Sequence, residues 1–370
     1  MTIIIFLIVL AILIFVHEFG HFVAARSFGI RVDAFALGFG PKIFAWRTFK
    51  RDASGHISKG ETEYSIRLIP FGGFVKIFGE NPDEENTHGP DAKRSFVNKP
   101  RWQQAIVLAA GVICNFIFAW VLYAVVFTSG VTATPGDFSQ YTGYFDNDRI
   151  MVTEVMPDSP ASKAGLRVGD VINGFSSVES VQQTIRNGGG KTIALNYSSH
   201  GQVIEKDIVP ALTSSKSDNV YMIGIAMEKV SDMHLPFYIS ILEGFKYTCL
   251  MIKNTIVGMV GFIVAMARGL ADYSQISGPI GIAGIVGDAA GLGFTYLVMV
   301  TAIISINLGV INLVPFPALD GGRIVVVAIE ALIRRRISSK FINIVNIIGF
   351  ALLMALMVLV TYKDIVKLVK

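Results

Sequence analysis

The pentapeptide His17-Glu18-Phe19-Gly20-His21 follows directly on an uninterrupted apolar run, Ile3 to Val16. Continued to Ala25, the stretch is long enough to cross a bilayer as a helix. In that helix the two histidines, four apart, share one face, so both imidazoles can reach one metal ion. The glutamate between them is placed to work on a water at that ion. Three ionisable side chains within five residues are expensive in lipid, so they mark a functional site there. A chance match to this pattern is rare in a chain with six histidines, and rarer still inside an apolar helix. A metal site that transports or senses could use the same ligands.

Composition agrees with a membrane chain. Hydrophobic residues make up 52% and charged residues only 16%, which leaves room for one modest soluble part. The net charge of +4 is spread without a basic block, so no nucleic-acid partner is indicated. Cys114 and Cys249 lie far apart and imply neither a disulfide framework nor a cysteine zinc site. The first segment lacks a basic start and a small-residue cleavage site, and it carries the candidate ligands; it is not expected to be a cleaved signal.

Four stretches are expected to span the membrane: Ile3–Ala25, Gln104–Thr128, Phe294–Val314 and Ile342–Thr361. Pro236–Ala267 is ambiguous. Its Glu243, Lys246 and Lys253 fall on one helical face, which favours an amphipathic helix at the membrane surface over a fifth span beginning after Lys253. The Arg26–Arg101 loop holds thirteen Lys/Arg against nine acids, and Arg323, Arg334, Arg335, Arg336 and Lys340 follow the third span. By the positive-inside rule both loops are cytoplasmic and both termini lie outside. Within the first loop, Thr62–Phe78 is β-rich with Pro70 and Gly72-Gly73 at its centre, which predicts a hairpin apolar enough to enter the membrane. Asn81–Asp91 reads as a mobile polar loop. The fold class is thus a polytopic α-helical membrane protein with four transmembrane helices, a membrane-associated β-hairpin and an inserted, mainly β, extracytoplasmic domain. The boundaries are 1–128, 143–230, 236–267 and 294–370.

A catalytic zinc commonly has three protein ligands and an open position. Asp320, in Asn312-Leu313-Val314-Pro315-Phe316-Pro317-Ala318-Leu319-Asp320-Gly321-Gly322, is the best candidate for the third. Prolines end the helix and glycines allow a tight turn, so the carboxylate can return to the bundle near the depth of His17 and His21. A helix N-cap is the alternative role for Asp320. Asn307 and Asn312 could stabilise an oxyanion or hold substrate, or simply bond helix to helix; Asn115 has the same two readings. His56, His88, His200 and His234 fall outside the predicted spans and read as solvated.

These motifs resemble the site-2 protease family of intramembrane zinc metalloproteases, most of all its bacterial regulator-of-sigma-E branch. The resemblance rests on HEFGH, TEYSIRLIPFGGFVKI and NLVPFPALDGG, in that order along the chain. It rests also on an inserted domain whose Ser159-Pro160-Ala161, Ala164-Gly165-Leu166, Gly169-Asp170 and Ile172 series resembles a PDZ domain. One such domain fits here, where the best-known branch member carries two. The resemblance implies zinc bound by His17, His21 and Asp320, with Glu18 as catalytic acid/base. It implies a loop, including Ile66, Gly72, Gly73 and Val75, that pairs with unwound substrate. It implies a groove at Ile223, Gly224 and Ile225 that either binds a peptide or is closed and acts as a spacer. Single-span membrane proteins, such as anti-sigma factors and signal-peptide remnants, would be the substrates. Membrane lipid would be a partner, the chain a monomer, and the location a bacterial inner membrane. A non-catalytic scaffold using the PDZ-like domain is the alternative; the intact Glu18 argues against it. A metal transporter would need more intramembrane carboxylates and histidines than the chain has.

Overall fold

The structure, a computed structural model, describes residues 1–51, 57–81, 84–136, 138–199, 201–214, 219–270 and 278–369. The chain runs through α1 (Thr2–Ser27), β1 (Val32–Arg51), β2 (Ile57–Ile77), α2 (Glu84–His88) and α3 (Arg101–Ser129). There follow β3 (Val131–Ala133), β4 (Phe145–Val155), α4 (Pro160–Ala164), β5 (Val171–Ile172), α5 (Val178–Asn187), β6 (Ile193–Ser199), β7 (Gln202–Ile208), β8 (Ala211–Ser214), β9 (Asn219–Met222) and β10 (Ile225–Met233). Five helices close the chain: α6 (Phe237–Ala267), α7 (Pro279–Leu292), α8 (Phe294–Asn312), α9 (Asp320–Ile333) and α10 (Ser339–Val369). The chain forms two compact units, Met1–Val126 with Tyr238–Lys370, and Phe127–Phe237.

In the first unit, α1 is apolar all round until His17, so polarity does not mark its inner face. Packing does. Phe6, Val9, Leu13, His17, Gly20, His21 and Ala25 are buried in one stripe at helical spacing. Ile8, Ile12, Phe15, Phe19 and Val23, on the opposite side, stay exposed, as lipid-facing residues would. α3 crosses α1 closely because small residues meet there. A methyl on Gly20 would overlap the Ala110 carbonyl and lie 3.0 Å from Cys114 Cβ.

Among the described residues, five helices are long and apolar enough to cross a membrane by length and composition: α1, α3, α6, α8 and Ser339–Val366 of α10. The surface-helix reading of Pro236–Ala267 meets a different arrangement. Glu243 is buried and bonded by Lys246 at 2.6 Å, so the three charged residues do not form one exposed face. Gly244 packs on Ala124 of α3, and the Thr255 hydroxyl donates to Asn307 Oδ1 of α8 at 3.3 Å. α6 therefore packs on α3 near its start and touches α8 beyond its middle. α7, which the sequence reading left undefined, ties chain ends together. Asp364 of α10 accepts from the Gly281 N–H at 2.8 Å, and Thr2 packs on Gly287. The start of α1, the end of α10 and the start of α8 thus share one side of the bundle.

The loop after α1 is a long β1–β2 hairpin rather than a Thr62–Phe78 hairpin. Both arms expected in Thr62–Phe78 belong to β2 and pair with β1, not with each other. Ala34 lies opposite both Lys76 and Glu63, and Leu37 opposite both Gly73 and Ile66. The reason is a second fold in the ribbon: Gly38 and Gly40 take positive φ in β1 and Gly72 in β2, so each strand doubles back. A buried cluster of Ala25, Ile30, Val32, Phe35, Val75, Ile77, Val107, Leu108 and Val327 fastens the base of the hairpin to α1, α3 and α9. Asn81–Asp91, read as a mobile loop, contains α2; Pro82 and Asp83 lie outside the described residues.

The second unit holds a six-stranded sheet in the order β3-β10-β4-β5-β6-β7 and a separate β8–β9 pair. Local signals set its short helices. Ser159 caps α4 by accepting from the Ser162 N–H, Pro160 supplies the first turn, and Gly165 ends it in the left-handed region. Ser177 and Ser180 cap α5 reciprocally. Gly224, φ 78°, separates β9 from β10. Ile150, Val152, Ile172, Val181, Leu195, Tyr197 and Ile223 form the core.

Candidate metal centre

His17 and His21 project from one face of α1 toward α3, where Gly111 makes room for them. A methyl at Gly111 would overlap His21 Nε2 and come within 2.9 Å of His17 Cε1. Asp320 arrives from the other side as the first residue of α9. Leu319, not Asp320, occupies the N-cap position, and no side chain caps this helix. The two glycines after Asp320 serve close approach rather than unusual torsion. A side chain on Gly321 would strike the Leu313 and Val314 carbonyls, and one on Gly322 the Phe316 carbonyl. The residue that takes the left-handed conformation is Ala318, φ 73°, whose N–H donates to Asn346 Oδ1 of α10 at 3.3 Å. The start of α9 is thereby folded back onto the end of α8.

The three candidate ligand atoms form a nearly equilateral triangle. His17 Nε2 lies 3.1 Å and His21 Nε2 3.3 Å from Asp320 Oδ2, and the two nitrogens lie 3.3 Å apart. Ligands held ~2.0–2.1 Å from a tetrahedral zinc are roughly 3.3 Å from one another, so the triangle has the size that zinc needs. Protonation points the same way. His21 Nδ1–H donates to the Val107 carbonyl at 2.8 Å, which leaves a lone pair on Nε2 of the neutral ring. Asp320 Oδ2 is buried and meets both imidazole Nε2 atoms. Electron-pair donors packed this closely repel one another unless a cation lies among them, and among the described residues these three form the group able to hold one.

A cavity of about 690 Å³ opens on this triangle. His17, Glu18, His21, Phe74, Val75, Ile77, Asp320 and Arg323 line it, with Asn343 and Asn346 of α10. Glu18 receives the Val75 backbone N–H. Gly73 lies against α1 with no room to spare: a methyl there would come within 2.8 Å of Ile14 and 3.4 Å of Glu18 Cγ. Arg323 pairs with Glu80, tying α9 to the end of the hairpin.

The structure thus brings together Glu18, His17, His21, Asp320, Gly73 and Val75. The other candidates sit apart. Asn307 bonds Thr255, Asn312 ends α8, and neither lines the cavity. Ile66 faces Leu37 and Phe44 within the hairpin, and Gly72, φ 98°, packs on the Phe39 ring. Ile223 is buried in the second unit, beside Gly224 and Ile225. His56 and His200 lie outside the described residues; His88 and His234 are exposed, and neither belongs to the triangle. Sequence reasoning missed Gly111, Arg323, Asn343 and Asn346. The last two carried a signal: polar amides three apart on one face of an otherwise apolar span.

Residues 5–356 match peptidase family M50. Among curated relatives, a protein of Clostridium perfringens named as a zinc metalloprotease is 33% identical over 371 residues, covering 99% of both chains. One of Clostridium acetobutylicum, likewise named, is 34% identical over 374 residues, covering 99% of this chain and 97% of its own. Zinc metalloprotease RasP of Oceanobacillus iheyensis is 26% identical over 453 residues, covering 99% of each.

Proposed function

The chain belongs to peptidase family M50 and is a multi-pass membrane zinc metalloprotease, and from that premise we propose that it is an endopeptidase cutting single-span membrane proteins within the bilayer. The observation that carries the reading is the His17–His21–Asp320 triangle with Glu18 in one cavity beside a strand edge.

In this reading His17, His21 and Asp320 hold the zinc. Bound there, zinc would polarise the scissile carbonyl and make water acidic enough to lose a proton near neutral pH. Glu18 takes that proton and delivers it to the leaving amine, and the Val75 N–H holds its carboxylate in place for both steps. The substrate helix must unwind to expose a peptide bond. Gly73–Ile77 supports a role in holding it: among the described residues this stretch pairs only with β1, and Phe74, Val75 and Ile77 line the cavity. No strand among the described residues pairs with its other edge, and an extended substrate could add there. Anti-sigma factors and signal-peptide remnants are substrates of this kind.

The positive-inside count orients the chain with both termini and residues 143–230 outside a bacterial inner membrane, and the active site near the cytoplasmic side. Residues 143–230 are read as one PDZ-like domain that selects substrates. The glycine turn at Gly224 before β10, with α5 nearby, supports it.

Glu18→Gln tests the chemistry because it keeps size and hydrogen bonding. The variant should bind zinc as the native chain does yet cleave a reconstituted single-span reporter at least a hundredfold more slowly, the usual minimum for loss of a general base. Native-rate cleavage by Glu18→Gln would exclude this mechanism.

A further inference from the structure

Val107, Gly111 and Asn115 stand at intervals of four on α3 and so form one stripe facing the two histidines. Val107 already has a defined task, since its carbonyl accepts the His21 Nδ1–H. Gly111 supplies the gap. Asn115 occupies the matching position for the other ring: its amide lies 3.1 Å from His17 Nδ1. Asn115 is fully buried, and its backbone carbonyl accepts the Ser305 hydroxyl of α8 at 2.8 Å, which fixes its place between helices.

The amide outline fits with either end toward the ring, because oxygen and nitrogen are distinguished by their partners. With nitrogen toward His17, Nδ1 must accept, and the neutral ring carries its proton on Nε2. That blocks the atom at the corner of the triangle. With oxygen toward His17, Nδ1–H donates and Nε2 presents a lone pair, as in His21. The far end of the amide lacks a partner as placed, with Oδ1 buried and unbonded, and turning the amide exchanges which atom lies there. The choice is therefore made at His17.

We propose that Asn115 is a positioning residue for the metal: its side-chain oxygen accepts the His17 Nδ1–H and holds the ring in the tautomer that can bind zinc. α3 is then a template for both histidines, offering an acceptor, a gap and an acceptor along one stripe. This inference rests on the reading that His17 and His21 bind zinc.

The test is chelator competition for zinc on the purified full-length chain in detergent. Asn115→Leu keeps volume but removes the acceptor, and should weaken zinc binding roughly 10–100-fold, the usual cost of losing an outer partner of a metal histidine. Asn115→Asp, which still accepts, should stay within roughly threefold of the native chain. A merely structural role predicts the reverse order, because the buried leucine would be tolerated and the buried charge would not. Native affinity in Asn115→Leu, or a loss in Asn115→Asp as large as in the leucine variant, overturns the proposal. Nitrogen-15 spectra of imidazole-labelled native protein give a second reading that needs no variant: Nδ1–H at His17 is expected, and Nε2–H contradicts it. His17→Ala run alongside separates the underlying reading. If that variant keeps native zinc affinity, the ligand assignment fails; if it loses zinc while Asn115→Leu does not, only the role of Asn115 fails.

Discussion

The two units place their polar side chains differently. In Phe127–Phe237, Arg149 donates to both Asp232 oxygens at 2.7 Å and to the Thr132 hydroxyl at 2.8 Å, joining β3, β4 and β10. Water still reaches this cluster, and Arg149 holds the Asp232 carboxyl below the usual carboxylate range. In the other unit one set of polar groups, brought by three separate helices, converges on one point. His17 and His21 of α1, Val107 and Asn115 of α3 and Asp320 of α9 all serve the triangle. Where water is near, a polar side chain costs little and says little about function. Inside an apolar bundle the same side chain costs several kcal/mol unless paired, so each one present points to chemistry or to a specific helix contact.

That contrast sets an order of sensitivity. The largest effect is expected from the smallest change, Gly111→Ala. One methyl between the histidines should lower zinc affinity at least about a hundredfold, beyond the range seen for outer-shell losses, because it displaces the ligands themselves. Elemental analysis after dialysis checks this, and full zinc content would mean that α1 and α3 are looser than their packing implies. Val75→Pro should come next. It removes the N–H that bonds Glu18 and spoils the strand edge, so cleavage of every substrate should slow by roughly tenfold while zinc stays bound. Equal turnover would remove the edge from substrate handling.

The gentlest effect is expected from the largest change. Deleting residues 143–230 should leave zinc and the cleavage of substrates already trimmed on the outer side unaltered. It should reduce the preference for trimmed over full-length substrates, since a selecting domain acts before the chemistry. Rates for a trimmed and an untrimmed reporter measure this; an unchanged ratio would assign that domain no part in selection.

How much was legible in the sequence follows the same division. His17, Glu18, His21 and Asp320 could be read because ionisable residues stand out against an apolar background. The caps of α4 are local too: Ser159, Pro160 and Gly165 need no distant contact. What escaped depends on contacts distant in sequence. Gly111 has no side chain to signal its role, which appears only when α1 lies across it. The pairing of Ala34 with both Lys76 and Glu63 needs two strands that fold back on themselves, which alternation within Thr62–Phe78 cannot reveal. In α6, Glu243, Lys246 and Lys253 suggest a wet face, yet Glu243 turns inward and takes Lys246 as its partner, which spacing alone does not show.

The most direct measurement is the zinc content of purified Asp320→Ala beside that of the native chain. Asp320 is the corner of the triangle brought from the far end of the sequence, and no short motif supplies it. The native chain should hold about one zinc, as three ligands with an open position require, and Asp320→Ala should lose most of it under the same dialysis. Full occupancy in Asp320→Ala would contradict the three-ligand centre on which the proposed proteolysis depends.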